Sequence, residues 1–294
     1  MTPNDTGGDD ASTPIETGVQ WLTDRTEAAI ARLTSIEIAR KSVIFADDVF
    51  FHPIRRTVSQ DVCQLLLSAL DHLRFLAWSL RKHEKTYPYA QATLIRTAAT
   101  GAATALWIVG AESTVERRCR AMEFMFNDIK SHLTWMATAA AEPMHQQRPA
   151  SEWTAYENQR SELQRRQEWL VQQANTLLQP ETAFTRRTYG QRLTSDSDMV
   201  RAAGTSTPAI GVGGWDPELV LLSSWQVLSG YAHARPWAVP LGSTLVVNDP
   251  EPNPTTGTIS VTPEGNPDRL LDMAFRALLV AENAVARLES LSVA

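Results

Sequence analysis

The strongest constraint on this chain is the recurrence of apolar residues at three- and four-residue spacing over stretches of about twenty to thirty residues, the period of an amphipathic helix. Val62, Leu65, Leu66, Ala69, Leu73, Leu76 and Leu80 place such a stripe on a helix over 57–85. Val115, Cys119, Met122, Phe126, Ile129, Leu133 and Met136 do the same over 113–141, behind a Ser113/Glu116 capping-box signature. Leu271, Ala274, Leu278, Ala281, Val285 and Leu288 form a seam over 268–291. That seam covers under four heptads, so it reads as intramolecular core rather than a dimeric coiled coil.

The remaining segments follow the same logic. Val19, Leu22, Ile30, Leu33 and Ile36 predict a helix over 15–45, single or broken near Thr34, followed by a connector over 47–53 that Pro53 keeps non-helical. A helix over 89–109 carries the small-residue face Ala98, Gly101, Ala102 and Ala105, which suits close helix packing. Residues 151–179 give a polar, peripheral helix whose apolar side is limited to Trp153, Tyr156, Leu163, Trp169, Leu170 and Leu177. Residues 196–203 read as a short helix, and Asp216-Pro217 opens another that Pro236 stops near Ala234. Two β-prone runs, 244–248 and 258–262, flank a Pro-rich connection and read as a hairpin. The fold class is therefore all-α: a bundle of about seven helices with a small β-hairpin, within 241–267, inserted before the C-terminal helix. Residues 1–14 read as a disordered tail and 15–294 as a single domain.

A chain of 294 residues with 43% hydrophobic content can bury a sizeable core. Its net charge of -6 argues against a protein that coats nucleic acid non-specifically, although local Arg groups still suit phosphates. Such groups occur at Arg117, Arg118 and Arg120, where Glu112, Glu116 and Glu123 are the expected neutralising partners, and again at Arg186, Arg187 and Arg192. Cys63 and Cys119 lack zinc or disulfide spacing and fit a reducing, cytoplasmic setting. The polar N-terminus has no signal-peptide pattern, and the apolar run 97–110 is too short to span a bilayer, so no membrane association is expected. Gly211, Gly213 and Gly214 do not complete a dinucleotide fingerprint, and no cofactor is expected. Asp47, Asp48 and His52 could ligate a metal, but a solvated loop is the simpler reading, and no metal site is assigned.

The densest chemistry lies at 223–237. Four-residue spacing puts Trp225, Ser229 and His233 on one helical face, with Tyr231 beside them, Gly230 leaving a gap and Arg235 following. His233 and Arg235 either cap the negative helix end or act on a ligand, His233 moving a proton and Arg235 holding an anion. Elsewhere, Arg96 interrupts an apolar surface of Leu94, Ile95 and Ala98 and either snorkels to the surface or pairs with a buried carboxylate, for which Asp71 is the candidate; His72 adjoins it.

Asp71-His72, the run Leu-Ile-Arg-Thr-Ala-Ala around Arg96, the Glu-Arg-Arg helix start and Leu-Ser-Gly-Tyr-Ala-His-Ala-Arg ending at Arg235 together resemble a family of actinobacterial helical proteins. More distantly, they are similar to HEPN-like helical bundles, over about residues 58–237. The resemblance implies a helical fold and, for many such bundles, metal-independent ribonuclease activity in toxin and defence systems. Here it would use His233 and nearby Arg residues meeting across a homodimer interface, with RNA as the substrate. Three functions are thus expected to compete: a non-catalytic module binding a protein partner or small ligand, a HEPN-like ribonuclease, and a hydrolase using Ser229 with His233.

Overall fold

The computed structural model describes residues 13–82, 86–142, 149–211 and 213–294. Among them lie eleven α-helices. The seven long ones are α1 (Pro14–Thr34), α3 (Val58–Lys82), α4 (Pro88–Val109), α5 (Thr114–Ala141), α6 (Ala150–Leu178), α9 (Pro217–Ala232) and α11 (Pro267–Ser292). Shorter ones are α2 (Val43–Phe51), α7 (Arg186–Gln191), α8 (Asp196–Thr205) and α10 (Val239–Gly242). A two-stranded antiparallel hairpin, β1 (Ser243–Asp249) with β2 (Ser260–Gly265), precedes α11. The all-α class with an inserted hairpin is what the periodicity predicts.

The centre of the molecule is α4, packed between α3 and α11, with α8 and α9 on its remaining side and α1 bridging α3 and α11. Small residues make this possible. A Cβ on Gly101 would sit 3.1 Å from the Leu65 carbonyl oxygen, so α3 and α4 approach to backbone contact there. By length and composition α4 could cross a bilayer, but 67% of that stretch is buried by the surrounding helices, as in the central helix of a globular bundle. The α11 seam is wholly buried from Leu271 to Leu288, which confirms an intramolecular core. On its outer side, Arg25 pairs with Glu282 and Arg32 with Glu289, tying α1 to α11.

The backbone departs from expectation in two places. Residues 47–53 are not a connector: α2 occupies 43–51 and a 3-10 turn follows at His52–Ile54, while α1 ends at Thr34. The reason is tertiary. Asp47, fully buried, accepts from Arg117 Nε at 2.5 Å and Arg118 Nε at 2.8 Å, and Asp48 accepts from the Ser59 amide and hydroxyl at the start of α3. Those bonds use up the carboxylates once weighed as metal ligands, and among the described residues no group of three His, Cys, Asp or Glu side chains is placed to hold a metal ion. They also mean that Arg117 and Arg118 are neutralised from α2 rather than by Glu112 or Glu123; only Arg120 meets an expected neighbour, Glu116.

Next, the second strand starts later than its β-propensity suggests. The register pairs Ser243 with Gly265 and Val247 with Val261, with an irregularity before Asp249. Anchoring at the base explains this: Thr86 donates to the Gly265 carbonyl at 2.6 Å and Arg269 to the Leu241 carbonyl at 2.8 Å. A two-stranded sheet needs such support to persist. Finally, the expected tail over 1–14 lies outside the described residues, except that Thr13 caps α1 and Pro14 begins it.

Candidate functional site

The stretch around Ser229 is organised by α4, not by its own helix end. Arg96 Nε donates to Ser229 Oγ at 2.9 Å, and its guanidinium lies 5.4 Å from the Trp225 ring centre. Trp225 Nε1 donates to Thr100 Oγ1 at 2.9 Å, and Thr100 donates in turn to the Arg96 carbonyl. The result is a closed polar network between α4 and α9. The expected Arg96–Asp71 pair is absent: Asp71 is exposed on α3, and Arg96 gains a hydroxyl and an aromatic face instead of a carboxylate. His72 uses Nδ1 on the Ser68 carbonyl, 2.7 Å away within its own helix.

His233 and Arg235 do not join this network. Both are exposed. The α9 end is closed by backbone alone: the Ala234 amide donates to Tyr231 O at 2.9 Å and the Arg235 amide to Gly230 O at 2.7 Å, with Ala234 left-handed at φ 50°. This is a Schellman termination, which satisfies the last carbonyls without any side chain and turns the chain out before Pro236 acts. The gap at Gly230 is filled by the chain itself, because a Cβ there would lie 2.5 Å from Ala238 Cβ. Tyr231 is buried, its hydroxyl bonded to Val239 O at 2.8 Å and to Ser243 Oγ at 2.5 Å. Ser229 Oγ is held by Arg96, and among the described residues no hydrogen bond joins it to His233.

Concave surface is found at the start of α9, where Trp215, Leu219, Ser223, Gln226 and Arg276 line about 520 Å³, and along α5 and α6, which pack chiefly on each other. One cleft, about 420 Å³, is lined by Arg56, Asp61, Asp128, His132, Glu162 and Arg166 among others. Its charges are already paired. Arg56 grips Asp61 with two nitrogens, at 2.7 and 3.1 Å, and reaches Asp128 at 2.5 Å. Burial pushes the Asp61 carboxyl above its usual range even so. On α6, hydrogen bonds from Arg165 and Arg166 hold Glu162 at about 2.

A second cavity, about 340 Å³, opens between the C-terminal half of α5 and the start of α6. Trp135, Met136, Trp153 and Tyr156 wall it, with Ala139, Ala140 and Ala155 leaving the space and Glu152 and Gln159 completing the lining. Trp153 and Tyr156 meet edge to face at 5.5 Å, and the Tyr156 hydroxyl donates to Met136 O at 3.0 Å, which fixes that ring against α5. Trp135 remains 65% exposed at the mouth. Sequence reasoning named Trp153 and Tyr156 only as the sparse apolar side of a peripheral helix. The available signal was the clustering of aromatic rings at the end of α5 and the start of α6.

Neither cysteine is an activated nucleophile, since burial raises the thiols of both Cys63 and Cys119. Comparison with protein-family models, with curated proteins and with solved structures returns no match to this chain.

Proposed function

We propose that this protein is a non-catalytic ligand-binding module whose site is the aromatic cavity between α5 and α6, and that its ligand is a small molecule with an apolar, ring-sized body. The observation that carries this reading is the cavity's composition: three aromatic rings, Met136 and three alanines around roughly ligand-sized space, with Glu152 and Gln159 the charged and amide groups of the lining. Chemistry has weaker support. The buried and half-buried carboxylates Asp47, Asp48 and Asp61 are each engaged by Arg or Ser partners in structural roles. The ribonuclease alternative rests on the resemblance alone, because His233 and Arg235 stand exposed and line none of the cavities described above. Two unpaired cysteines support a reducing, cytoplasmic setting.

A titration with N-phenyl-1-naphthylamine, a neutral fluorophore that brightens in apolar surroundings, tests the proposal. Saturable binding at about one site per chain is expected, weakened about tenfold or more in Trp153→Ala and in Ala140→Trp, which fills the cavity. Ala140→Trp that folds normally and binds as well as the wild type would remove the cavity from consideration.

A further inference from the structure

A different concavity lies on the opposite flank of α5, where α7 closes against α5 and α6, and its chemistry is that of an anion site. It encloses about 370 Å³, and Phe126, Lys130, Gln167, Arg186, Arg187 and Gly190 line it. Three side-chain cations face one space in a chain whose net charge is -6, and no carboxylate is among the lining residues. Lys130 and Arg187 have no ion-pair partner among the described residues, and Arg186 has only a long contact, 3.9 Å, to Glu168. On α6, which contributes Gln167, the guanidinium groups of Arg165 and Arg166 are bonded to Glu162 at 2.8 and 3.0 Å, so unpaired cations are not the rule for this surface.

Gln167 supplies an independent observation. It is 6% exposed and lines the cavity, yet its carboxamide makes no hydrogen bond among the described residues. The sealed, unpartnered side-chain polar atoms among the described residues are Thr26 Oγ1, Tyr189 OH and Arg276 Nε, so the Gln167 amide opens onto the cavity, where water or a ligand can satisfy it. An oxyanion would do so, accepting from the amide NH₂ while the cations supply charge-assisted bonds. The walls are also fixed in place. Asn175 clamps the loop before α7 by donating to Phe184 O at 3.1 Å and accepting from its amide at 2.7 Å. Thr185 then caps α7, which sets the direction of Arg186 and Arg187. Gly190 lets α7 approach α5, since a Cβ there would stand 3.3 Å from Phe126 Cε1.

We infer that this cavity binds the phosphate group of a small molecule, a dianionic or more highly charged oxyanion held by Lys130, Arg186 and Arg187 with Gln167 donating from the floor. Three cations match a group carrying at least two negative charges, and the space exceeds what one bare phosphate fills, leaving room for a second phosphate or an organic body. The site is separate from the aromatic cavity and does not depend on it.

Calorimetric titration at low ionic strength tests the inference with three probes: inorganic phosphate, pyrophosphate and a single-stranded RNA oligonucleotide. Pyrophosphate is expected to bind at one site per chain and more tightly than phosphate. Its affinity should fall about tenfold in Lys130→Gln and in Arg187→Gln, both exposed changes that leave the core alone, and by several-fold in Gln167→Leu. Arg165→Gln, which lies outside the cavity, should bind as the wild type does. Binding of phosphate equal to that of pyrophosphate, with the same loss in the variants, still supports the site and identifies the free ion as the ligand. No heat with any probe, or affinity unchanged in all three cavity variants, overturns the inference. RNA binding that is lost in those variants while pyrophosphate is ignored overturns it in favour of a nucleic-acid surface.

Discussion

Tyr189 shows how one atom can set a stability that no contact map would suggest. Its ring is fully buried in α7, edge to face with Phe126 at 5.1 Å and tilted against Phe184 at 5.8 Å, but its hydroxyl has no hydrogen-bond partner among the described residues. Burial raises the phenol above its ordinary value near 10. The sign of the pH dependence follows. Below about pH 10 neither state ionises and nothing is lost; above it the unfolded chain releases the proton while the folded chain does not, so stability falls as pH rises toward the folded value. Tyr189→Phe deletes the orphaned hydroxyl and keeps the ring. Urea unfolding at pH 7 is expected to show a gain of about 1 kcal/mol, because an unsatisfied buried polar group costs about 1–3 kcal/mol. The gain should widen above pH 10, and a variant less stable than wild type at pH 7 would show that the hydroxyl is satisfied in solution.

At the scale of elements, the Asp47 cluster decides whether a whole helix exists. Arg117 is 2% exposed and Asp47 fully buried, so removing the carboxylate strands a guanidinium inside the protein. Asp47→Ala should therefore cost about 3–5 kcal/mol in equilibrium unfolding, the range for breaking a buried pair from one side. A loss under 1 kcal/mol would mean that water reaches Arg117. The same cluster explains what the sequence made legible. Helices α3, α5 and α11 carry an apolar stripe against polar neighbours, and each is visible from its period alone. In α2 the run Val-Ile-Phe-Ala-Asp-Asp-Val-Phe-Phe is apolar on nearly all sides apart from two adjacent acids, so no stripe stands out. Its helical state depends on partners 70 and 71 residues away in Arg117 and Arg118, a relation that local pattern cannot express. The Arg96 misassignment has the same origin. A lone Arg on an apolar face calls for a partner, but nothing local reveals that the partner is Ser229, 133 residues on.

Across the whole molecule, stability and binding capacity are expected to separate. Residues 223–237 attract attention because their polar and aromatic side chains are close in sequence, yet the structure spends them on helix docking and chain reversal. The aromatic cavity and the cation-lined one instead draw on α5, α6 and α7, whose side chains converge only after folding. These helices lie outboard of the α3/α4/α11 centre, and the first turns of α6 from Ala150 to Gln159 expose most of their residues to solvent. A peripheral, sparsely buried segment opens at lower free energy than a central one. Native-state amide hydrogen exchange should therefore rank α4 and α11 slowest, α5 intermediate and the first half of α6 fastest among the long helices. Apolar-probe binding should slow exchange at 150–159 and 133–141, because occupancy of the cavity joins α6 to α5, while leaving α11 unchanged. Exchange in the first half of α6 as slow as in α4 would mean that the α5–α6 pair opens only when the entire domain unfolds, and the cavity would then be a rigid part of the core rather than a binding surface carried at its edge.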